Sequence, residues 1–492
     1  MSGSSSIELI FIASPGIGHL VSTVEIARRM ISRSDHIQVT VLIMILPFDS
    51  TVKAYAQTLA ASNIERIRFI QVVGNEDESS EFVASKNYLS LFIESQKPFV
   101  KKIAVELVKN RCVGDPKLGG FVVDMFCTAM IDVAAELGFP SYVYFTSSAS
   151  FLGLMLHLQR LRDEEDVDVT QYGDYLEGAV FKLSRFHHPI PATVLPSVVL
   201  DKDGASKLFL DHAKRFRKAK GILVNTMMEL ESFAIDSLVL DNQSPQIYPV
   251  GPILNLQNDT NNNHDYSNAK ESEILMWLDQ HPPCSVVFLC FGSLGSFGPE
   301  QVQEIARGLE ASGNRFLWSL RRPPPKDEVA FPTEYDNPEV VLPDGFLTRT
   351  SKVGKIIGWA PQVSVLAHPA IGGFVSHCGW NSILESLWFG VPLATWPLYA
   401  EQQVNAFEVV RELGIAVEIS LDYRKDFRMQ TKKLVSAEEI ERGIKCLMEE
   451  DSGVRRKMRT MKETSRAAMM KGGGSSYTWL GRFIHDMMDS AP

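Results

Sequence analysis

The sequence predicts an α/β protein of two doubly wound parallel sheets that face each other across a cleft. Three observations predict it. The chain has 492 residues, too many for one ordinary core and enough for two domains of roughly 200–250 residues each. Uninterrupted apolar runs of strand length alternate with amphipathic runs of helix length, the mark of strands covered on both faces. That rhythm stops at a polar stretch, NLQNDTNNNHDYSNAKES (255–272), and then resumes. Such a stretch reads as a linker between two halves of like design.

In the first half, IELIFIA (7–13) is a buried strand and Leu20 to Ser32 a helix. QVTVLIMI (38–45) is a second strand. GGFVVDMF (119–126) is a third, followed by the helical TAMIDVAAELG and by SYVYFT (141–146). Residues 160–205 are mixed and proline-containing, after which GILVNT (221–226) resumes the pattern. In the second half SVVFLCFGS is a strand. PEQVQEIARGLEASG is a helix with Pro299 in its first turn and Gly313 as its stop. RFLWSLR, GKIIGWA, GGFVSH and PLATWP are short strands, and PPPKDEVAFPTEYDNPE is an exposed loop. Val435 to Glu450 opens on Ser436 and Glu439, a capping box. KGGGSS (471–476) is a flexible joint before a last helix, Tyr477 to Met488. The expected domains are therefore 1–254 and 273–474, with 255–272 between them and 475–492 completing the first.

The formal net charge of −10 argues against a nucleic-acid binder. Six cysteines, at 112, 127, 284, 290, 378 and 446, form no C-x-x-C pair and read as free thiols of a reducing compartment. The N-terminal stretch lacks the basic region of a signal peptide. The best candidate for a membrane span, FVVDMFCTAMIDVAAELGF, is broken by Asp124 and Asp132. These features predict a cytoplasmic protein without membrane insertion; a monomer is the expectation for its assembly.

In doubly wound sheets, ligands bind beyond the carboxyl ends of the strands, so polar residues there carry weight. IFIASPGIGHL places His19 in a glycine-rich turn after the first strand. Gly16 and Gly18 fit a dinucleotide fingerprint, but its third glycine is Val21 and no acid ends the second strand. Asp124 ends the apolar GGFVVD, where a carboxylate needs a partner. It reads either as a cap for the following helix or as the partner of His19. In the second role it orients the imidazole, whose other nitrogen can take a proton from a substrate hydroxyl. No G-x-S-x-G elbow is present to complete a hydrolase triad.

GGFVSHCGWNSILESLWFGVP reads as strand, tight turn at Gly379, and helix. Ile383, Leu384, Leu387 and Trp388 form the buried face, and Asn381 and Glu385 lie four apart on another. The helix N-terminus, with the Asn381 amide, the Ser382 hydroxyl and His377, suits a phosphate. Glu385, one turn deeper, suits sugar hydroxyls. A metal site here lacks further ligands, and nothing supports Cys378 as a nucleophile.

From Trp359 to Gln402 the sequence reads WAPQVSVLAHPAIGGFVSHCGWNSILESLWFGVPLATWPLYAEQ. This resembles the signature box of plant family 1 UDP-glycosyltransferases, and FVVDMF, YFTSSA, ILVNTMMELE, FLCFGS and the terminal GGSS extend the resemblance along the chain. It implies a GT-B fold, two facing Rossmann-like domains. It implies that Trp359 stacks on uracil while the Ala360 backbone reads its edge. Gln362 and Glu385 would bind the ribose, and Ser293, His377, Asn381 and Ser382 the diphosphate. Trp380, Glu401, Gln402 and Thr146 would hold the sugar. His19 and Asp124 match the family's base and its partner. Gln402, where galactose-using relatives have His, points to glucose, as does Trp380.

The reading is an inverting, metal-independent O-glucosyltransferase that uses UDP-glucose, needs no cofactor, and forms β-glucosides of a flavonoid, other phenolic or terpenoid. Two D-x-D matches, Asp166-Val167-Asp168 and Asp201-Lys202-Asp203, lie in polar stretches away from strand ends and read as chance. The rival readings are an NAD(P)-dependent oxidoreductase on the first glycine turn and a catalytically silent sugar-nucleotide binder. Loops around 85–95, 145–160 and 185–205, with Phe126, Phe151, Met155 and Phe186, are the candidates for the acceptor pocket.

Overall fold

A computed structural model describes residues 6–74, 85, 87–173, 178–183, 186–256, 265–325, 330–425 and 434–491. The first sheet comprises β1 (Ile7–Ala13), β2 (Ile37–Ile43), β3 (Ile67–Gln71), β4 (Lys117–Asp124) and β5 (Ser141–Phe145). After a hairpin, β6 (Val180–Phe181) with β7 (Ile190–Pro191), it continues with β8 (Gly221–Val224) and β9 (Gln246–Pro249). Its order is β3-β2-β1-β4-β5-β8-β9, and every pairing is parallel. The second sheet comprises β10 (Val286–Cys290), β11 (Arg315–Ser319), β14 (Gly354–Ile357), β15 (Ile371–Ser376), β16 (Leu393–Thr395) and β17 (Ala416–Glu418). Its order is β14-β11-β10-β15-β16-β17, also all parallel. A second hairpin pairs β12 (Arg321–Arg322) with β13 (Thr333–Glu334).

Each sheet is buried on both faces because its strands are apolar at successive positions, not alternate ones. In β1, Leu9 and Phe11 pack into the core on one face while Ile10 and Ile12 pack into the core on the other. In β10, Val286 and Phe288 part from Val287 and Leu289 in the same way. In both sheets the chain reverses its direction of winding beside the first strand, between β1 and β4 and between β10 and β15. A crevice opens at such a point, because the connections leave for opposite faces of the sheet.

Most strands match their sequence expectations to within two residues, and the first helix runs from Ile17 to Arg33. Two expectations are corrected. Residues 265–272 do not read through as linker: the helix Asp265–Leu278 begins inside that stretch. Its buried apolar residues, Ile274 and Leu278, stand at its far end, so the polar beginning carries no periodic signal. The helix after β4 spans Met130–Glu136 and is preceded by Ala129, so Asp124 does not cap it.

The last helix, Ser475–Met488, packs on the first sheet: Phe483 lies edge-on to Tyr142 and Tyr248, and the Tyr248 hydroxyl donates to Asp486. The two halves are also joined by buried polar contacts. The Trp380 indole donates to the Asn225 carbonyl at 2.7 Å, and the Ser150 hydroxyl donates to Glu408 at 2.7 Å. The segment after Phe186 is gripped from the second half. Glu412 accepts the His187 and His188 backbone N–H groups, and Arg424 donates to the Thr193 and Leu195 carbonyls.

Candidate active site

Both switch points open toward the same cleft. At the first, Gly16 has φ +122 and precedes the helix Ile17–Arg33. That φ is strained for any side chain and free for glycine. The turn sets His19 in the first turn of the helix, 2.8 Å from Asp124 (Nδ1 to Oδ2). Asp124 is buried, and its other oxygen accepts the Phe126 backbone N–H at 3.1 Å. Thus it closes its own turn with one oxygen and holds His19 with the other. The Thr146 hydroxyl, just past β5, stands 3.3 Å from the same imidazole nitrogen. Since a carboxylate only accepts, Nδ1 carries the proton and Nε2 presents a lone pair. Burial lowers the pKa of His19, but the charge and hydrogen bond of Asp124, with a smaller contribution from Glu401, outweigh it. The net shift is upward from 6.5.

At the second switch point β15 delivers Ser376, His377 and Cys378 to the helix Trp380–Phe389. The expected turn at Gly379 is corrected. The positive φ belongs to Cys378 (φ 64), while Gly379 is extended (φ −61, ψ 138). Gly379 serves another purpose. A Cβ there, or at Gly292 after β10, would stand 2.6 Å from His377 Nε2, so both glycines keep that nitrogen clear. His377 is buried with no charged partner, and burial alone pushes its pKa down to about 4. It is a neutral group with one N–H to give. No side chain caps the helix, so the amides of its first turn lack partners within it. Among the described residues the buried Asn381 carboxamide Oδ1 has no partner, and its Nδ2 lies 3.8 Å from the place of a Cβ at Gly18, across the cleft. Ser293 stands half-buried on the loop after β10.

Gln362, at the start of the helix Gln362–Ala367, ties the rest together. Its amide donates to the Ser382 hydroxyl at 2.8 Å and to Glu385 at 2.7 Å. Burial pushes the Glu385 carboxyl up to about 7, with the Gln362 bond acting against it. The Ala360 side chain is buried and Trp359 is 52% exposed, with the Arg321 guanidinium over its ring at 5.2 Å. Its backbone N–H donates to Glu334, which holds the β12–β13 hairpin beside it. Burial raises the Glu401 carboxyl, opposed in part by the charge of His19 across the cleft.

Two expected sugar contacts are corrected in part. The Trp380 indole N–H is already spent on Asn225, so the side chain offers no hydrogen bond to a sugar. Gln402 Oε1 accepts the Leu398 and Tyr399 backbone N–H groups, so that oxygen is already engaged. Of the four aromatic and apolar residues named for the acceptor pocket, Phe151, Met155 and Phe186 are core residues. Phe126 lies beside His19, at 5.4 Å between ring centroids. Cys378 is buried, and burial pushes its thiol well above the ordinary range, as expected of a bystander. The acid that a nicotinamide cofactor would need after β2 is missing. The nearest carboxylate, Asp49, caps the next helix through the Val52 N–H. The D-x-D carboxylates Asp166, Asp168 and Asp203 are exposed. Among the described residues no cluster of His, Cys, Asp and Glu is placed to hold a metal ion, and no helix is long and apolar enough to cross a membrane.

Comparison with known proteins gives this cleft its family. The family model described as UDP-glucoronosyl and UDP-glucosyl transferase matches residues 218–448. The chain is 51% identical to UDP-glucose flavonoid 3-O-glucosyltransferase 6 of Fragaria ananassa, covering 98% of this chain and 99% of that one. It is 50% identical to UDP-glycosyltransferase 71E1 of Stevia rebaudiana, covering 98% of each. Medicago truncatula UGT71G1, solved with UDP-glucose, is similar at TM-score 0.84 and 41% identity, covering 98% of each chain. A transferase from Siraitia grosvenorii solved with UDP is similar at TM-score 0.86 and 45% identity, covering 98% of this chain and 100% of that one. The two facing parallel sheets are the GT-B fold, and the chain belongs to the UDP-glycosyltransferases.

Proposed function

We propose that this enzyme transfers glucose, with inversion, from UDP-glucose to a hydroxyl of a small aromatic acceptor of the flavonoid kind. It works without a metal or cofactor, as a cytoplasmic monomer. The observation that carries the chemistry is the His19–Asp124 pair, 2.8 Å apart, facing an uncapped helix N-terminus across the cleft. His19 Nε2 takes the proton of the acceptor hydroxyl, and Asp124 stabilises the imidazolium that forms. The acceptor oxygen attacks the anomeric carbon from the side opposite the diphosphate. The bond from that carbon to the phosphate oxygen breaks, UDP leaves with the electron pair, and the α-linked donor gives a β-glucoside. The charge gathering on the diphosphate meets the free amides of Trp380–Phe389, the Asn381 and Ser382 side chains, Ser293 and neutral His377. Those donors take the part that a divalent cation plays in other sugar transferases.

For the remaining donor contacts, Trp359 and the Ala360 backbone take the uracil, and Gln362 with Glu385 the ribose. Glu401, the Gln402 NH₂ and Thr146 face the sugar. Glucose and a flavonoid-like acceptor are supported by the names of the Fragaria relative and the Medicago complex. The test is a panel of hydroxylated flavonoids and simpler phenols incubated with UDP-glucose, with and without EDTA, and read by product mass. A gain of one hexose that survives EDTA is the expected result. Transfer only from another nucleotide sugar refutes the donor, and loss in EDTA restored by Mg²⁺ refutes the metal-free step.

A further inference from the structure

One buried titratable group beside the cleft has no part in the chemistry above. His212 lies on the helix Ala205–Phe216 with 8% of its surface accessible. Its Nδ1 stands 2.8 Å from the hydroxyl of Thr128, which is fully buried. Among the described residues the Thr128 hydroxyl has no other partner, and a hydroxyl can either donate to Nδ1 or accept from it. When the hydroxyl donates, the imidazole proton sits on Nε2. Nothing among the described residues bonds to Nε2, and it is not an enclosed orphan like His377 Nδ1. It is the polar atom of the ring left without a partner among the described residues.

The neighbour of this ring is Phe126, edge-on to His212 at 5.9 Å between centroids and tilted against His19 at 5.4 Å. The two histidines therefore share one phenyl ring as a neighbour. Burial, helped by the Arg215 charge and opposed by Glu94, Asp211 and Asp124, pushes the His212 pKa down to about 4. The ring stays neutral.

We infer that the Thr128 hydroxyl donates to His212 Nδ1 and that His212 is a specificity-determining residue: its Nε2–H donates to an oxygen of an aromatic acceptor whose reacting hydroxyl lies at His19 and whose ring rests on Phe126. The inference rests on the glucosyltransferase reading and extends it to the acceptor class, a molecule with two oxygens at opposite ends of a flat ring system. A site that leaves a desolvated donor unpaired discriminates against the analogue lacking the matching oxygen.

The experiment uses UDP-glucose and pairs of flavonoids that differ by one oxygen at the end remote from the glucosylated hydroxyl. The ratio of kcat/KM within each pair is the readout, taken for wild type, His212→Leu, His212→Gln and Thr128→Val. For the pair that wild type separates best, His212→Leu is expected to lower the ratio about tenfold. His212→Gln, whose amide also donates, retains most of it, and Thr128→Val lowers it about threefold by freeing the tautomer. If both acceptors of every pair lose activity by one common factor, the role is structural and the inference falls. Should His212→Leu not fold, Thr128→Val decides alone, since it keeps the ring and nearly the same volume: an unchanged ratio overturns the inference. Failure of wild type to glucosylate any member of the panel overturns the enzyme's proposed reaction and this inference with it.

Discussion

The turn after β1 and the turn after β15 are built alike, yet they make their histidines into opposite tools. Each leaves its strand at the sheet's switch point, and each feeds a helix whose N-terminus has no side-chain cap. His19 has its pKa raised, whereas His377 has its own pushed down to about 4. The difference lies in the neighbouring strand. β4, beside β1, ends in Asp124. β10 and β16, beside β15, end in Cys290 and Thr395. One carboxylate at a strand end thus separates the proposed general base from a neutral imidazole. Without that charge, burial wins and the imidazole stays uncharged.

The largest effect should come from breaking the first turn. His19→Ala is expected to lower kcat by about 10²–10⁴-fold, the usual worth of a general base. Calorimetric binding of UDP should change less than twofold. A variant that loses UDP affinity and keeps its turnover would exchange the roles assigned to the two turns. The pH profile sharpens the point. The base must be neutral to act, and its pKa lies above 6.5. The acid limb of kcat/KM should therefore rise with pH through a midpoint above that value. In Asp124→Asn the charge is gone and burial remains, so the plateau falls and the limb moves to lower pH. A limb that stays in place would mean that Asp124 is not what raises the base.

The second turn should fail differently. His377→Leu is expected to weaken UDP binding by about 10–100-fold, the loss of one hydrogen bond to a charged group, and to leave the acid limb where it was. A shifted limb would show that His377 also titrates in the active range.

The two turns differ too in how far they can be read from the sequence. Both strand–turn–helix units show in the chain, because buried strands leave continuous apolar runs. His19, Asp124 and the first turn of Trp380–Phe389 stand out because polar groups at strand ends break those runs. What escapes is whatever depends on a contact from far along the chain. Nothing local says that the Trp380 indole is spent on Asn225, 155 residues earlier. Nor does anything announce His212, a lone histidine on an amphipathic helix, where the ordinary reading is a satisfied side chain. The position of the strained residue in HCGWNS is hidden as well. Glycine is the residue that tolerates positive φ most easily, yet here Cys378 takes it, and Gly379 is needed for the room it leaves His377.

A smaller effect tests the floor of the second crevice. Glu385 can accept from ribose hydroxyls best as a carboxylate, and burial holds its pKa at about 7. UDP affinity should then fall by about five- to tenfold as pH drops from 8 to 6, the difference between a charged and a neutral acceptor. A 2′-deoxy-UDP control should show a weaker fall. Gln362→Leu removes the bond that lowers this pKa, so the fall should begin at higher pH. A profile that ignores Gln362 would place the titration elsewhere.

The smallest effect decides what Trp380 is for. Its N–H meets a carbonyl of the other half at 2.7 Å, and both residues are buried. Asn225 is itself held in the first half, its side-chain oxygen accepting the Ile253 N–H at 2.7 Å. The bond therefore fixes the helix of the proposed diphosphate cradle to the half that carries His19. Trp380→Phe keeps a ring in the pocket and strands the Asn225 carbonyl, which costs about 1–3 kcal/mol. Urea unfolding should show that loss. If stability is untouched while KM for UDP-glucose rises and the inhibition constant of UDP does not, Trp380 serves the sugar after all. If stability falls, the second turn contributes a strut where the first contributes a base, and the spacing between His19 and the cradle is set in part by a bond that touches no substrate.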